Sequence, residues 1–394
     1  METVRKLLVS LVFVAVLVVA ACAPQSAPVS GTQTPIVSTG TSWSTATPST
    51  QAVALQAWET QWNQWVEGAK KEGTLVFATT QGDLRVPYAE AMEQKYGLQM
   101  EVIVGKGGTL SPKITAERRA GIYSYDIYVG NTTTMSTSLK PPGYFDPLDP
   151  VLILPESIDP KAWLGGKVPF FDSKDHQIVE TLTSVVQFLA VNTDLVKPGE
   201  IESYKDLLNP KWKGKIIMED PTAAGQSAKG IRLLGDKIMG WDYLRDLAKQ
   251  EPVALRDERM EFDWLIFGKA AMLIAPGPTT AVDMIKLGAP IKLLNGKEGI
   301  WTTNSGAAAI FNRAPNSNAA KVFVNWFMSR DGQLVSSKTR ALPTMRLDVN
   351  QDFIERMWLP DPKVSYLSTS SEEFILAEPE GMKKNNEIFG KFIR

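Results

Sequence analysis

Cysteine and histidine are almost missing, with one of each, Cys22 and His176, in 394 residues. A lone cysteine has no partner for an intramolecular disulfide, and the Cys/His clusters that hold zinc or iron–sulfur centres are not there. No metal and no cofactor is therefore expected. His176 follows Asp175 in a polar stretch, with no serine or cysteine nucleophile set beside it by a recognisable motif. Covalent catalysis of the Cys–His or Ser–His kind has little support. An excess of one charge is lacking too: 42 basic residues stand against 43 acidic ones, a formal net charge of -1. Nucleic acid, which asks for a basic face, is excluded as a partner. The chain also lacks G-x-x-x-x-G-K-[ST], so no nucleotide P-loop is present. One long apolar run occurs, Leu7–Ala21, and it falls short of the roughly 20 residues that a membrane-spanning helix needs.

What is there begins with that run. Arg5 and Lys6 precede it and Cys22 follows, the charged and apolar regions of a secretory signal. Val19-Ala20-Ala21-Cys22 resembles the bacterial lipobox, in which a diacylglyceryl group is added to the cysteine thiol before cleavage. The sole cysteine stands where that chemistry requires it. The resemblance implies a signal peptide over residues 1–21 and a lipid anchor at Cys22 on the extracytoplasmic side of the cell membrane. Two or more acyl chains anchor stably, since each buried methylene contributes about 0.8 kcal/mol. No charged residue occurs from Ala23 to Trp58, where Ser, Thr, Pro, Ala, Gln and Gly dominate. Residues 22–57 therefore read as a flexible tether.

The rest alternates between strand and helix signals. Trp58, Trp62, Trp65 and Val66 recur at helical spacing, and Gly73 closes that segment. Strands are expected at Leu75–Thr79, Leu98–Val104 and Asp126–Val129. Helices are expected at Val86–Tyr96, stopped by Gly97, and from Pro112 to Ala120, with Ser111 as N-cap. A second unit follows: strands Ile216–Met218, Pro252–Leu255, Ala270–Ala275 and Ile291–Leu294, with helices from Gln226, at Met260–Phe267 and at Ala281–Leu287. This alternation indicates mostly parallel α/β sheets in two lobes. Ligands of such sheets bind beyond the carboxyl ends of the strands, where helix N-termini favour anions.

Residues 73–135, with "EGTLVFATT", "YGLQMEVIVG" and "ITAERRAGIYSYDIYVG", resemble the first lobe of extracellular solute-binding proteins of ABC importers, in the branch that includes the ferric-ion binders. "AVNTDLVKPGEIESYKDLLNPKWKGKIIMEDP" (190–221) carries the strongest likeness, and "GAAAIFNRAPNSNAAKVFVNWFMSRDGQ" (306–333) is similar to the return crossing and its helix. The resemblance spans most of residues 60–340. It implies a two-lobed periplasmic-binding-protein-like type II α/β fold with two hinge crossings. The first part of lobe 1 would cover 58–189, lobe 2 190–303, and the return crossing with the remainder of lobe 1 304–394. In the ferric binders a tyrosine pair follows the strand matching Ala270–Ala275, where this chain has Pro276-Gly277-Pro278-Thr279. A carboxylate follows the strand matching Asp126–Val129, where Asn131 stands here. Neutral oxygens suit Fe³⁺ poorly, so a ferric site is disfavoured.

Position at strand ends and helix starts selects the candidate ligand contacts: Thr80, Gln81, Lys106, Asn131, Thr132, Gln226, Ser227, Arg256, Thr279, Trp301 and Thr302. Lys106 sits among glycines that let backbone approach a ligand, or merely form a tight connection. Ser227 serves equally as a first-turn residue. Arg256 offers a bidentate fork to a carboxylate or phosphate, or else joins a solvated cluster with Asp257 and Glu258. Trp301 covers a ligand or packs the hinge. The expected activity is non-enzymatic: a monomeric lipoprotein captures a small polar, anionic organic solute and passes it to ABC permease subunits. A ferric-ion carrier, a ligand sensor without transport and a hydrolase on the same fold are the rivals. The last lacks a nucleophile–base pair or a paired-carboxylate cleft.

Overall fold

The computed structural model describes residues 50–223 and 225–393. The signal segment, Cys22 and residues 22–49 of the tether lie outside them. Helix α1 (Thr50–Glu72) starts seven residues before the expected end of that tether, residue 57. It leads into β1 (Thr74–Thr79), α2 (Arg85–Tyr96), β2 (Gln99–Val104), α3 (Gly107–Arg119) and β3 (Ile127–Gly130). Gly97 ends α2 as expected: at φ 69° it takes the left-handed turn that returns its N–H to Glu93 O at 2.9 Å. The start of α3 differs from expectation. Ser111 is not its N-cap; Lys106 is, and the Ser111 hydroxyl donates back to Gly107 O at 2.8 Å from inside the helix.

The first sheet has the order β11 (Leu367–Ser368), β10 (Trp301–Ile310), β3, β1, β2, and β4 (Val179–Val185) pairs with β10 on its other edge. A short turn α4 (Thr132–Thr134), α5 (Pro155–Ile158) and then β4 (Val179–Val185) complete its first pass. The chain next enters the second sheet, of order β7-β6-β8-β5-β9. Its elements are β5 (Leu189–Asn192), β6 (Ile216–Glu219), α6 (Gln226–Leu233), α7 (Trp241–Ala248), β7 (Val253–Leu255), α8 (Glu258–Ile266), β8 (Met272–Ile274), α9 (Pro278–Lys286) and β9 (Ile291–Leu294). It returns through β10 (Trp301–Ile310), followed by α10 (Ser317–Met328), α11 (Arg330–Arg340), β11 (Leu367–Ser368), α12 (Glu372–Leu376) and α13 (Glu378–Phe389).

Both sheets are mixed. Within each, strands joined by a helix run parallel, as β1 does to β2 and β3, and β6 to β7 and β8. The antiparallel strands are those that carry the chain between lobes: β4 and β10 pair with each other, and β5 with β8 and β9. A chain that enters a lobe and leaves it again must reverse direction. Gly306 in β10 permits the tight passage against β4, because at φ 66° a Cβ there would stand 2.8 Å from Leu182.

Alternation along β1 serves two cores. Leu75 and Phe77 pack with Trp65, Tyr88, Phe323 and Trp326 on one face, while Ala78 joins Leu110, Tyr128 and Phe311 on the other. The end of the chain divides. Helices α10 and α11 lie with the first sheet, whereas α13 packs on α6 and α7 rather than completing lobe 1 as expected. Phe374 and Phe389 bury in the second lobe's core, and Asn385 Nδ2 donates to Pro221 O at 3.0 Å. Among the described residues no helix is long and apolar enough to cross a membrane.

Candidate functional site

The carboxyl ends of β1 and β3 build the first wall of the site. Thr79 Oγ1 accepts from Gln81 N at 2.8 Å and turns the chain after β1. This presents Thr80 and Gln81, both half-buried. Gln81 Oε1 is buried and has no hydrogen-bond partner among the described residues. Thr80 lies against β3, since a Cβ on Gly130 would meet its Oγ1 at 2.6 Å. Asn131 is exposed, and its Oδ1 accepts from Thr134 N at 2.7 Å, capping α4 and fixing Thr132 and Thr133 just beyond the strand. Thr132 is buried. Lys106 is exposed at the cap of α3, and the next residue, Gly107, touches the same turn through Thr134.

The second wall comes from the helices that follow β6 and β8. Gln226 and Ser227 open α6 directly after Gly225. Helix α9 begins at Pro278, three residues ahead of the expected Ala281, so Thr279 falls in its first turn and is exposed. The walls meet where Lys229 Nζ of α6 donates to Thr133 Oγ1 at 3.5 Å. A pocket of about 310 Å³ lies along the crossings between Val185–Gln187, Ala275–Pro276 and Thr303–Ser305, with Arg340 at its side.

Three expected contacts stand elsewhere. Arg256 gives its Nε to buried Asp220 at 2.8 Å, so its charge is already compensated. Asp220 also accepts from Thr222 N at 2.8 Å and Thr222 Oγ1 at 2.6 Å. Burial pushes its carboxyl up, but Thr222 and Arg256 outweigh that and hold it below the usual carboxylate range. The loop leading to α6 is thus organised by Asp220. Asp220→Ala is expected to cost about 2 kcal/mol and Arg256→Ala under about 1 kcal/mol, as denaturant midpoints will show. Equal losses would return Arg256 to a principal role. Trp301 is fully buried between Phe188 and Tyr204, and Thr302 is buried beside it. Both belong to the hinge, so Trp301 packs the crossing rather than covering a ligand.

Sequence reasoning missed Glu180, Lys229 and Asn304. Glu180 on β4 is 4% exposed, and its Oε1 has no hydrogen-bond partner among the described residues. Burial pushes its carboxyl up to about 8, opposed by Asn304, Thr132 and the charge of Lys229. Glu261 beneath the second wall is likewise raised to about 8, by burial and by repulsion from Glu219, Glu258 and Asp257. Among the described residues no group of three or more His, Cys, Asp or Glu side chains is placed to hold a metal ion.

A sequence profile of the bacterial extracellular solute-binding proteins matches residues 87–363. An uncharacterized protein of Haemophilus influenzae is 25% identical over 257 residues, 63% of this chain and 70% of its own length. The periplasmic binding protein AfuA from Actinobacillus pleuropneumoniae, with fructose-6-phosphate bound, superposes with a TM-score of 0.55 at 20% identity, covering 81% of this chain and 98% of its own. Ferric iron-binding protein A of Mannheimia haemolytica, in an open conformation, gives a TM-score of 0.60 at 16% identity over 81% and 99%. At these identities the structural likeness is one of fold.

Proposed function

This chain belongs to the bacterial extracellular solute-binding proteins, with the two-lobed type II periplasmic-binding-protein fold, and we propose that it carries a small polar organic solute with an anionic group to an ABC importer. The observation that carries this reading is the meeting of the two lobes at Thr133 and Lys229, next to Thr132 and the opening turn of α6. A solute touching both walls stabilises the closed arrangement by its differential affinity for it. Lys229 and the positive ends of α6 and α9 supply the charge for an anion. The body acts as a carrier rather than an enzyme, anchored through lipidated Cys22 and working as a monomer.

A ferric-ion carrier is the second reading. It is supported by the carboxylates of Glu219 and Glu258, which lie against Gly225 and Gly277 at the starts of α6 and α9. A thermal-shift screen of residues 50–394 against phosphorylated sugars, phosphonates, carboxylates, amino acids, polyamines and Fe³⁺ separates the two. A ligand at about 100 times its Kd adds about 2.7 kcal/mol to stability. We expect a large shift with one anionic class, lost in Lys229→Met. A shift with Fe³⁺ alone moves the assignment to iron, and no shift with any anion sinks the principal reading.

A further inference from the structure

The edge of the first lobe opposite the solute wall carries a pair of arginines. Arg118 stands in the last turn of α3, and Arg313 follows the end of β10. Strand β10 runs antiparallel to β3, with Ile310 paired to Ile127. Asn312 and Arg313 therefore lie at the amino end of β3, whereas the solute wall follows Gly130 at its carboxyl end. Arg118 is twelve positions beyond Lys106, the cap of α3, about 18 Å along the helix at roughly 1.5 Å per residue. A cavity of about 180 Å³ lies here, lined by both arginines, Tyr123, Tyr144, Asn312 and the turn 142–143, with no acidic residue in its lining. Sites for whole organic molecules are larger, roughly 300–1,000 Å³, so this one suits a small ion.

The two guanidiniums share one ring. Each lies 5.1 Å from the centroid of Tyr123, and Arg118 also lies 4.7 Å from that of Tyr144. Arg118 commits only Nη2, to Asn312 O at 3.0 Å and to Asn312 Oδ1. Its Nε is buried without a partner, and its Nη1 makes no hydrogen bond among the described residues. Arg313 gives Nη1 to Tyr123 Oη, and its Nε and Nη2 make none among the described residues. Neither arginine forms an ion pair there; Asp146 acts on Arg118 only through its field. Burial lowers the Arg118 guanidinium from its ordinary range and the charge of Arg313 adds to that, against Tyr123, Tyr144 and Asp146. Arg313 also holds φ at 56°, a left-handed backbone that glycine adopts freely and arginine does not. Two like charges on one concave surface repel, and an anion between them removes the repulsion. The planar N–H fork of a guanidinium matches the spacing of oxygens on such an anion.

We propose that this cavity is an oxyanion site, separate from the solute cleft, for a tetrahedral dianion of the phosphate or sulfate type. Arg118 Nη1 and the free edge of Arg313 donate to its oxygens, and the two cations match its two charges. Asn312 orients Arg118. Tyr123 Oη, an acceptor toward Arg313, has its own proton left to donate.

Titration calorimetry of the full-length chain with inorganic phosphate, sulfate and acetate at low ionic strength tests this. A Lys229→Met background takes the cation out of the solute cleft. Lys229 stands at the opposite end of β3, so the two sites are lost independently. Phosphate and sulfate are expected to bind one per chain, with acetate about tenfold weaker or worse, because it brings one charge and two oxygens. Arg313→Gly removes the guanidinium and suits the left-handed backbone. It should weaken both dianions at least about tenfold while the urea midpoint holds or rises. Arg118→Gln should weaken them as much. Absence of dianion binding in the Lys229→Met chain overturns the proposal. So does dianion binding that Arg313→Gly leaves unchanged, or acetate binding as tight as that of phosphate.

Discussion

Trp301→Ala is expected to destabilise the folded body by about 3–5 kcal/mol, the range for truncating a large buried aromatic. Trp301 has no exposed surface, and its ring lies 4.8 Å from that of Phe188 and 6.5 Å from that of Tyr204, centroid to centroid. Its Cζ2 stands 3.4 Å from where a Cβ on Gly230 would lie, so α6 also rests on it. The residue opens β10, a strand of the first sheet, yet its side chain fills the core of the second lobe. Its carbonyl accepts from Val186 N at 2.9 Å, tying the outgoing crossing to the returning one. Truncation therefore leaves a cavity where both crossings meet, and neither can collapse into it without moving the other. The urea midpoint should fall with little change in slope. A loss below about 1 kcal/mol would restore the idea that Trp301 is a mobile cover for ligand.

The second large effect is in pH. Glu180 and Glu261 each have a carboxyl raised from 4.5 to about 8 by burial. In the unfolded chain both ionise near pH 4.5, so between about pH 5 and 8 the folded state holds more protons than the unfolded one. Stability must then fall as pH rises through that window, and it is fully present only below it. Each group contributes a slope of up to about 1.4 kcal/mol per pH unit. Urea midpoints taken across the window should decline steadily. Glu180→Gln or Glu261→Gln should flatten the decline by about half, and the double substitution should nearly remove it. A flat profile in the wild type would mean that water or a neighbouring cation already stabilises both charged forms.

The element pattern was readable because its signals are local. Helix α2 and its stop at Gly97, the strand Ile291–Leu294 and the start of α6 at Gln226 stand where periodicity and turn residues put them. Helix α3 was misjudged because Ser111-Pro112 has the chemistry of a cap and first helical residue. Lys106 O accepts from Thr109 and Leu110, and that bonding brings the two glycines into the helix instead. The expectation that residues 304–394 complete lobe 1 fails at α13, which packs on α6 and α7, because no local signal states which lobe a helix will cover.

The candidate site was legible in part for the same reason. Thr80, Asn131, Thr132, Gln226 and Thr279 stand at strand ends and helix starts, which are sequence features, and an open α/β sheet gathers such positions at one edge. Arg256 looked available because its partner Asp220 lies 36 positions earlier in the chain. Glu180 lies in β4, a strand that the sequence reading did not place, and its burial comes from segments distant in the chain.

The alternation of strand and helix signals along the chain suffices to define a two-lobed α/β body. It rests on covalent order and local propensity. Which charges are neutralised, which carboxyls are forced to hold protons and which tryptophan locks the hinge depend on β4, β10, α6 and α13 coming together. Burial and pairing between distant segments are properties of that assembly, and no short stretch of sequence contains them.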